Sequence, residues 1–266
     1  RFGVLFKKIF NSFATVGCCD EKDKERLIKL GCKPESVFIT GNLKFDTSSA
    51  IGGGNLDVRG LLNKIGVFPN ARIIVGGSTH NGEEEVLTRT FINLKKQFPD
   101  LFLILVPRHF ERAKSVVDVL EALEVSFVLR TGINQEKRYE PGSIQCLLVN
   151  TTGELKEFYK VATVVFVGKS LTAEGGQNPI EPAALGKPIV FGPNMQNFLA
   201  IVKILLNRQA AIQVKDASQL EAVFQRILKD SDFAKKLGDN ALKVINENRG
   251  AIEKTMSMMF NVLKEK

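Results

Sequence analysis

The sequence predicts a doubly wound α/β fold built on a parallel sheet. Two observations lead to it. Short apolar runs alternate with longer segments of helical period along nearly the whole chain, the order of elements that gives βαβ units. Several of those runs are apolar throughout instead of alternating, as expected of strands buried on both faces of a parallel sheet.

The elements follow in order. Residues 12–17 (SFATVG) read as a first strand. Residues 20–30 read as a helix that starts at Asp20 with an acidic first turn and stops at Gly31. A second strand is expected at 37–40 (VFIT), then a loop over 47–55 (TSSAIGGGN), where small residues crowd together. The next strands fall at 72–76 (RIIVG), 101–106 (LFLILV), 125–129 (VSFVL), 144–149 (IQCLLV), 163–167 (TVVFV), 188–191 (PIVF) and 210–214 (AAIQV). Helices are expected at 83–98, 110–123, 154–161, 195–207, 217–229 and 231–264, the last broken around Gly250. The helix at 83–98 opens on acids and closes on lysines, which suits its dipole. Residues 1–45 hold too few elements to close a domain and read as the tail of an earlier α/β domain. With 46–55 as linker, residues 56–245 read as a complete domain and 246–266 as a C-terminal helix. The chain opens at Arg1 directly into RFGVLFKKIF, so a preceding part is expected.

Composition narrows the chemistry. Apolar residues make up 44% and charged residues 25%, enough for a buried core without staples. The net charge of +8 favours anionic partners such as a phosphorylated ligand, nucleic acid or an anionic lipid surface. Four cysteines and two histidines, with no CxxC pair, argue against a zinc site and for a reducing compartment. Cys18 and Cys19 read as small apolar fillers. No apolar run reaches the ~18 residues that a spanning helix needs.

In open parallel sheets, ligands bind beyond the carboxyl ends of the strands. Five strands run into unusual loops there: GSTHNGEEE, PRHFER, NTTGELKEFY, GKSLTAEGGQNPIEP and GPNMQNF. Their content suits a nucleotide or sugar phosphate. In the fourth, Gly175 and Gly176 would let the backbone approach a ligand. Asn178 is a good N-cap, Pro179 suits the first helical position, and Glu181 follows the cap by three residues. One reading is a capping box that merely closes the helix start. The other is that Pro179 and Pro182 stiffen the turn, so that Glu181 points outward to accept hydrogen bonds from two ribose hydroxyls. Arg108 and His109 leave a strand behind Pro107, where an arginine can fork onto phosphate oxygens or simply pair with Glu111 or Glu121. Arg112, a helical turn on, reads as its support. Thr152, Gly153 and Glu154 open a helix and could offer backbone N–H groups to a ligand or only cap it. Ser78 and Thr79 could meet phosphate or cap the following helix. His80 shows no partner that would make it a general base.

The motifs GNLKFD (41–46), GSTHNGEEE (77–85), LILVPRHFER (103–112), TTGELKEFY (151–159) and GGQNPIEPAALGKPIVFGPNMQNF (175–198) occur in this order. Together they resemble the 3-deoxy-D-manno-oct-2-ulosonic acid (Kdo) transferases of lipopolysaccharide assembly, over the chain from about residue 12 on. The resemblance implies a GT-B glycosyltransferase: a complete C-terminal Rossmann-like domain plus the tail of an N-terminal one. It implies CMP-Kdo as donor, a lipid A precursor (lipid IVA) as acceptor, an inverting reaction without metal or other cofactor, and peripheral attachment at the cytoplasmic face of the bacterial inner membrane. On the matching positions, CMP contacts fall at Pro107, Arg108 and His109, at Thr152, Gly153 and Glu154, and at Gly175, Gly176, Asn178, Pro179, Ile180 and Glu181, with Ser78 and Thr79 as further phosphate contacts. Lys44 matches a lysine that stabilises the transition state, reasonable for an ammonium beside a departing phosphate.

Two positions depart from the family pattern. Gln177 stands where the family usually has His, so a proton-transfer role there is in doubt. Lys169 interrupts the usual GGSL opening. The family's general base, a Glu early in the N-terminal domain, does not precede these residues, so this chain is expected to bind donor but not, alone, to transfer sugar. Two alternatives stay open. One is another GT-B enzyme, a UDP-sugar transferase or epimerase, because a carboxylate on a helix start serves any ribose. The other is a non-enzymatic basic α/β binding module. The absence of Trp and the presence of only two Tyr speak against nucleic acid as its partner.

Overall fold

The structure is a computed structural model that describes residues 2–46, 56–134, 137 and 139–264. All of the expected linker except Asp46 lies outside the described residues. The chain divides into two compact units, Arg1–Ile51 with Ile245–Lys266, and Gly52–Val244.

In the first unit, helix α1 (Phe2–Asn11) leads to strand β1 (Val16–Cys18), helix α2 (Glu21–Leu30) and strand β2 (Val37–Ile39). β1 and β2 pair in parallel, with Val16 opposite Val37 and Cys18 opposite Ile39. The Asp20 side chain accepts from Asp23 N–H at 2.9 Å, and Gly31 ends α2 in the left-handed region, the cap and stop expected from the sequence. Cys18, Cys32 and Val37 form the small core, with Phe10, Leu27 and Ile28 against it. Cys19, expected as a filler, is instead exposed, because alternate residues of a strand point to opposite faces and the strand ends there. Asp46 reaches across sequence to receive Gly250 N–H at 2.8 Å and Ile252 N–H at 2.7 Å. It thereby caps the C-terminal helix, Ala251–Lys264.

The second unit opens with helix α3 (Val58–Lys64), strand β3 (Ile73–Thr79) and helix α4 (Glu83–Lys95). Strand β4 (Phe102–Pro107), a 3-10 turn at Phe110–Arg112, helix α5 (Ala113–Ala122) and strands β5 (Phe127–Leu129) and β6 (Cys146–Leu148) follow. Helix α6 (Leu155–Val161), strand β7 (Val164–Val167), helix α7 (Ile180–Ala184) and strand β8 (Ile189–Phe191) come next. Helix α8 (Leu199–Asn207), strand β9 (Ile212–Gln213) and helices α9 (Ala217–Lys229) and α10 (Ser231–Asn248) complete the series.

The seven strands of this unit form one sheet, in the order β5-β6-β4-β3-β7-β8-β9, and every neighbouring pair is parallel. Ile74, Val75, Leu103, Ile104, Leu105, Val164, Val165 and Phe166 are fully buried, which is why these strands read as unbroken apolar runs. Gly76 and Gly77 of β3 serve opposite faces. A Cβ on Gly76 would press on Leu87 of α4, and one on Gly77 would overlap Tyr159 of α6. Helices thus cover both faces, and the strand order reverses between β3 and β7. That crevice is the ligand position general to such sheets.

Candidate functional site

The loops that leave β3 and β7 at this switch point are held by one side chain. Glu83, fully buried at the start of α4, accepts four backbone N–H groups. Its Oε2 takes those of His80 and Lys169, each at 2.8 Å. Its Oε1 takes those of Ser170 at 2.8 Å and Leu171 at 2.9 Å. Ser78 (φ 52), near the end of β3, and Lys169 (φ 53), in the loop after β7, lie in the left-handed region. A non-glycine residue there costs roughly 1–2 kcal/mol, and the Glu83 bonds hold it in place. Strain of this kind clusters at functional sites. The run GEEE suggested only dipole compensation. Glu85 does sit exposed beside Arg89, but Glu83 and Glu84 point inward.

Glu84 is the second buried acid. Arg112 grips it with two guanidinium nitrogens, at 2.6 and 3.1 Å, and also donates to Thr79 O at 3.3 Å. Thr79 O receives the Arg108 backbone N–H as well, at 3.0 Å. Arg112 therefore supports Arg108 through a shared carbonyl. The Thr79 hydroxyl, expected as a phosphate contact, is fully buried and donates to Glu84 Oε1 at 2.8 Å. It is not free for a ligand, and of that pair only Ser78 remains partly open. His109 is exposed and stacks on His80, ring centroids 6.1 Å apart.

The Arg108 side chain is exposed and, among the described residues, forms no ion pair with Glu111, Glu121 or any other acid. Its charge instead reaches Glu181. Burial pushes the Glu181 carboxyl above its ordinary range. The Asn178 amide, Lys156 and Arg108 pull the other way. Tyr159, buried on the same side, is pushed well up by burial and by the Glu181 charge. Arg108, Lys156, Tyr159 and Glu181 thus share one electrostatic neighbourhood.

The capping of α7 differs from a capping box. Asn178 Oδ1 accepts from Ile180 N–H at 3.0 Å, and Pro179 already has helical angles, so Asn178 does cap the helix. Glu181, however, is held by the Asn178 side-chain amide at 3.3 Å, and it stays half-buried rather than closed onto its own main chain. Gly175 and Gly176, expected to let a ligand approach, are also required by packing. A Cβ on Gly176 would lie 2.5 Å from Met195 Sδ, and one on Gly175 would lie 2.8 Å from Asn197 Nδ2. Their positive φ angles, 115° and 72°, and the absence of side chains let this loop pack on the loop after β8. Gly175 N–H donates to Gln196 Oε1 at 2.7 Å. Pro107, Pro179 and Ile180 are buried and shape the edge without presenting surface.

Beyond β6, Thr152 and Gly153 form an exposed tip, and no atom lies within 4 Å of where a Cβ on Gly153 would stand. The Glu154 carboxylate is committed to Arg130 at 2.9 Å and to the Thr151 hydroxyl. Backbone groups of 152–154 and the exposed Thr152 side chain can therefore meet a ligand. Lys44 belongs to the first unit, exposed, with its backbone N–H on Asn42 Oδ1. Among the described residues, no group of three or more His, Cys, Asp or Glu is arranged to hold a metal ion.

The sheet order and its capping helices define the class: the C-terminal Rossmann-like domain of a GT-B glycosyltransferase, with the end of the N-terminal one before it. Within that class the likeness is to the Kdo transferases. Residues 1–47 match the family model described as 3-Deoxy-D-manno-octulosonic-acid transferase (kdotransferase). The chain is 30% identical over 265 residues to the 3-deoxy-D-manno-octulosonic acid transferase of Haemophilus influenzae, which covers 97% of this chain. The chain spans 60% of the length of that relative and 54% of the Rickettsia felis one. The crystal structure of the C-terminal CMP-Kdo binding domain of WaaA from Acinetobacter baumannii superposes with a TM-score of 0.63 at 26% identity, covering 76% of this chain and 97% of that domain. Anabaena Alr3699/HepE, solved with UDP and glucose, shares the fold at TM-score 0.53 and 13% identity, over 98% of this chain and 66% of its own.

Proposed function

We propose that this chain is the donor-holding part of a Kdo transferase of lipopolysaccharide synthesis and that its second unit binds CMP-Kdo. One observation carries the proposal: Glu181 is held half-buried at a proline-stiffened helix start, within the fields of Arg108 and Lys156, at the carboxyl edge of a doubly wound sheet. The likeness to a domain described as CMP-Kdo binding supports it.

In this reading Glu181 accepts hydrogen bonds from the two ribose hydroxyls of the cytidine. Arg108 meets the phosphate, and the backbone N–H groups of 152–154 meet the base or phosphate from the β6 side. The acceptor hydroxyl of lipid IVA attacks with inversion as CMP departs. The general base is assigned to no residue of this chain, so the chain alone binds donor without turning it over. No metal takes part. The net positive charge draws the protein to the anionic lipids of the cytoplasmic face of the inner membrane.

Calorimetric titration with CMP and UMP tests the reading. CMP is expected to bind the tighter. Heat from a uridine nucleotide with none from CMP would replace the donor with a UDP-sugar.

A further inference from the structure

A second cation cluster lies at the opposite, amino-terminal edge of the same sheet. A cavity of about 510 Å³ opens there between α3, the start of β3 and the end of α6. Arg59, Lys160 and Lys187 line it, together with Asn63, Asn70 and Thr163, and among the described residues no acidic one does. Lys160 is paired with Glu157, at 2.6 Å. Arg59 and Lys187 have no carboxylate partner among the described residues.

Lys187 is half-buried, and its ammonium donates to a neutral acceptor, Ala162 O, at 3.1 Å. Burial and the nearby Arg59 charge both push its pKa down. Two like charges facing one concavity, one of them partly desolvated, raise the energy of the empty site. An anion seated between them removes that cost. The neutral lining adds donors of the right kind. Asn63 and Asn70 carry amides, and the Thr163 hydroxyl, whose oxygen accepts Ile73 N–H at 2.9 Å, still has its proton to give. Several N–H and O–H donors with two cations suit the three or four oxygens of a phosphate group.

We propose that this cavity is a phosphate-binding site, separate from the nucleotide edge and independent of the donor assigned there. Its ligand is an anionic phosphate group, either free in solution as inorganic phosphate or carried as the phosphate ester of a lipid headgroup.

The test uses the 266-residue chain and three variants: Arg59→Gln, Lys187→Gln and, for the nucleotide edge, Arg108→Gln. Inorganic phosphate is titrated calorimetrically at constant ionic strength. In parallel, the chain is sedimented with vesicles of phosphatidylcholine alone or mixed with phosphatidylglycerol. Arg59 is exposed and makes no side-chain bond among the described residues, so its variant keeps the fold even if Lys187→Gln does not. Binding is expected to weaken by about tenfold or more in Arg59→Gln, the loss of one charge-assisted contact, and to survive in Arg108→Gln. A loss seen with inorganic phosphate identifies a free ligand. A loss seen only with phosphatidylglycerol vesicles identifies a headgroup. Binding that Arg59→Gln leaves unchanged, or that Arg108→Gln abolishes, overturns the proposal, as does the absence of binding in both arms.

Discussion

Glu83 shows how much one buried side chain can organise. Its carboxylate satisfies N–H groups from two loops, one three residues away in sequence and the other 86 to 88. Removing it orphans four donors, one buried and three part-buried, and a buried donor left unmade costs about 1–3 kcal/mol. Glu83→Ala is expected to lower unfolding free energy by at least about 3 kcal/mol in urea titration. Glu83→Gln should recover only part, because its NH₂ would face other donors. A loss below 1 kcal/mol would show that the loops hold themselves. Glu181 is predicted to behave in the opposite sense. Its folded-state pKa is raised, so the folded protein prefers it protonated, and its charge costs stability at neutral pH. Glu181→Gln is therefore expected to be at least as stable as the parent at pH 7, an advantage that disappears as pH falls below the ordinary Glu value of 4.5. The same sign governs binding: CMP affinity should fall as pH drops through a midpoint above 4.5, while the Gln variant, titrated alongside to cancel the ligand's own protonation, stays flat.

At the scale of elements, the strands were legible and some helices were not. β3, β4 and β7 are buried on both faces, so their sequences carry no alternation to misread. α3 escaped because Gly60 lies inside a seven-residue helix, where the intrinsic preference is weak. α1 escaped because RFGVLFKKIF shows neither a capping residue nor an acidic first turn. The site was legible in part. The asparagine cap of α7 followed from residue types and spacing. The inward turn of Glu83 and Glu84 did not, since a run of three acids reads equally as a solvated helix start and only the tertiary fold supplies the N–H groups and Arg112. The glycine pair stands out in the sequence, whereas its packing against Met195 and Asn197 comes only from the tertiary fold. Gly176→Ala must strain a positive φ and also collide with Met195, and is expected to cost about 2 kcal/mol or more of stability. Gly153→Ala has the strain without the collision and should cost about 1 kcal/mol. Equal losses by thermal melting would contradict the packing role of Gly176.

For the whole molecule, the division into two units matters most. The second, Gly52–Val244, contains the full seven-stranded sheet and every proposed nucleotide contact, whereas Lys44 lies in the first. CMP should therefore bind without help from Lys44, and Lys44→Ala should leave CMP affinity unchanged. At a CMP concentration a hundredfold above its dissociation constant, the folded state gains about 2.7 kcal/mol, visible as a higher melting temperature. The central claim is that the half-buried Glu181 carboxylate grips the sugar of a cytidine nucleotide. Calorimetric titration of CMP into the parent chain and into Glu181→Gln at neutral pH tests it most directly. A loss of affinity of about tenfold or more, in a variant that melts no lower than the parent, is the predicted result; undiminished binding by that variant would contradict it.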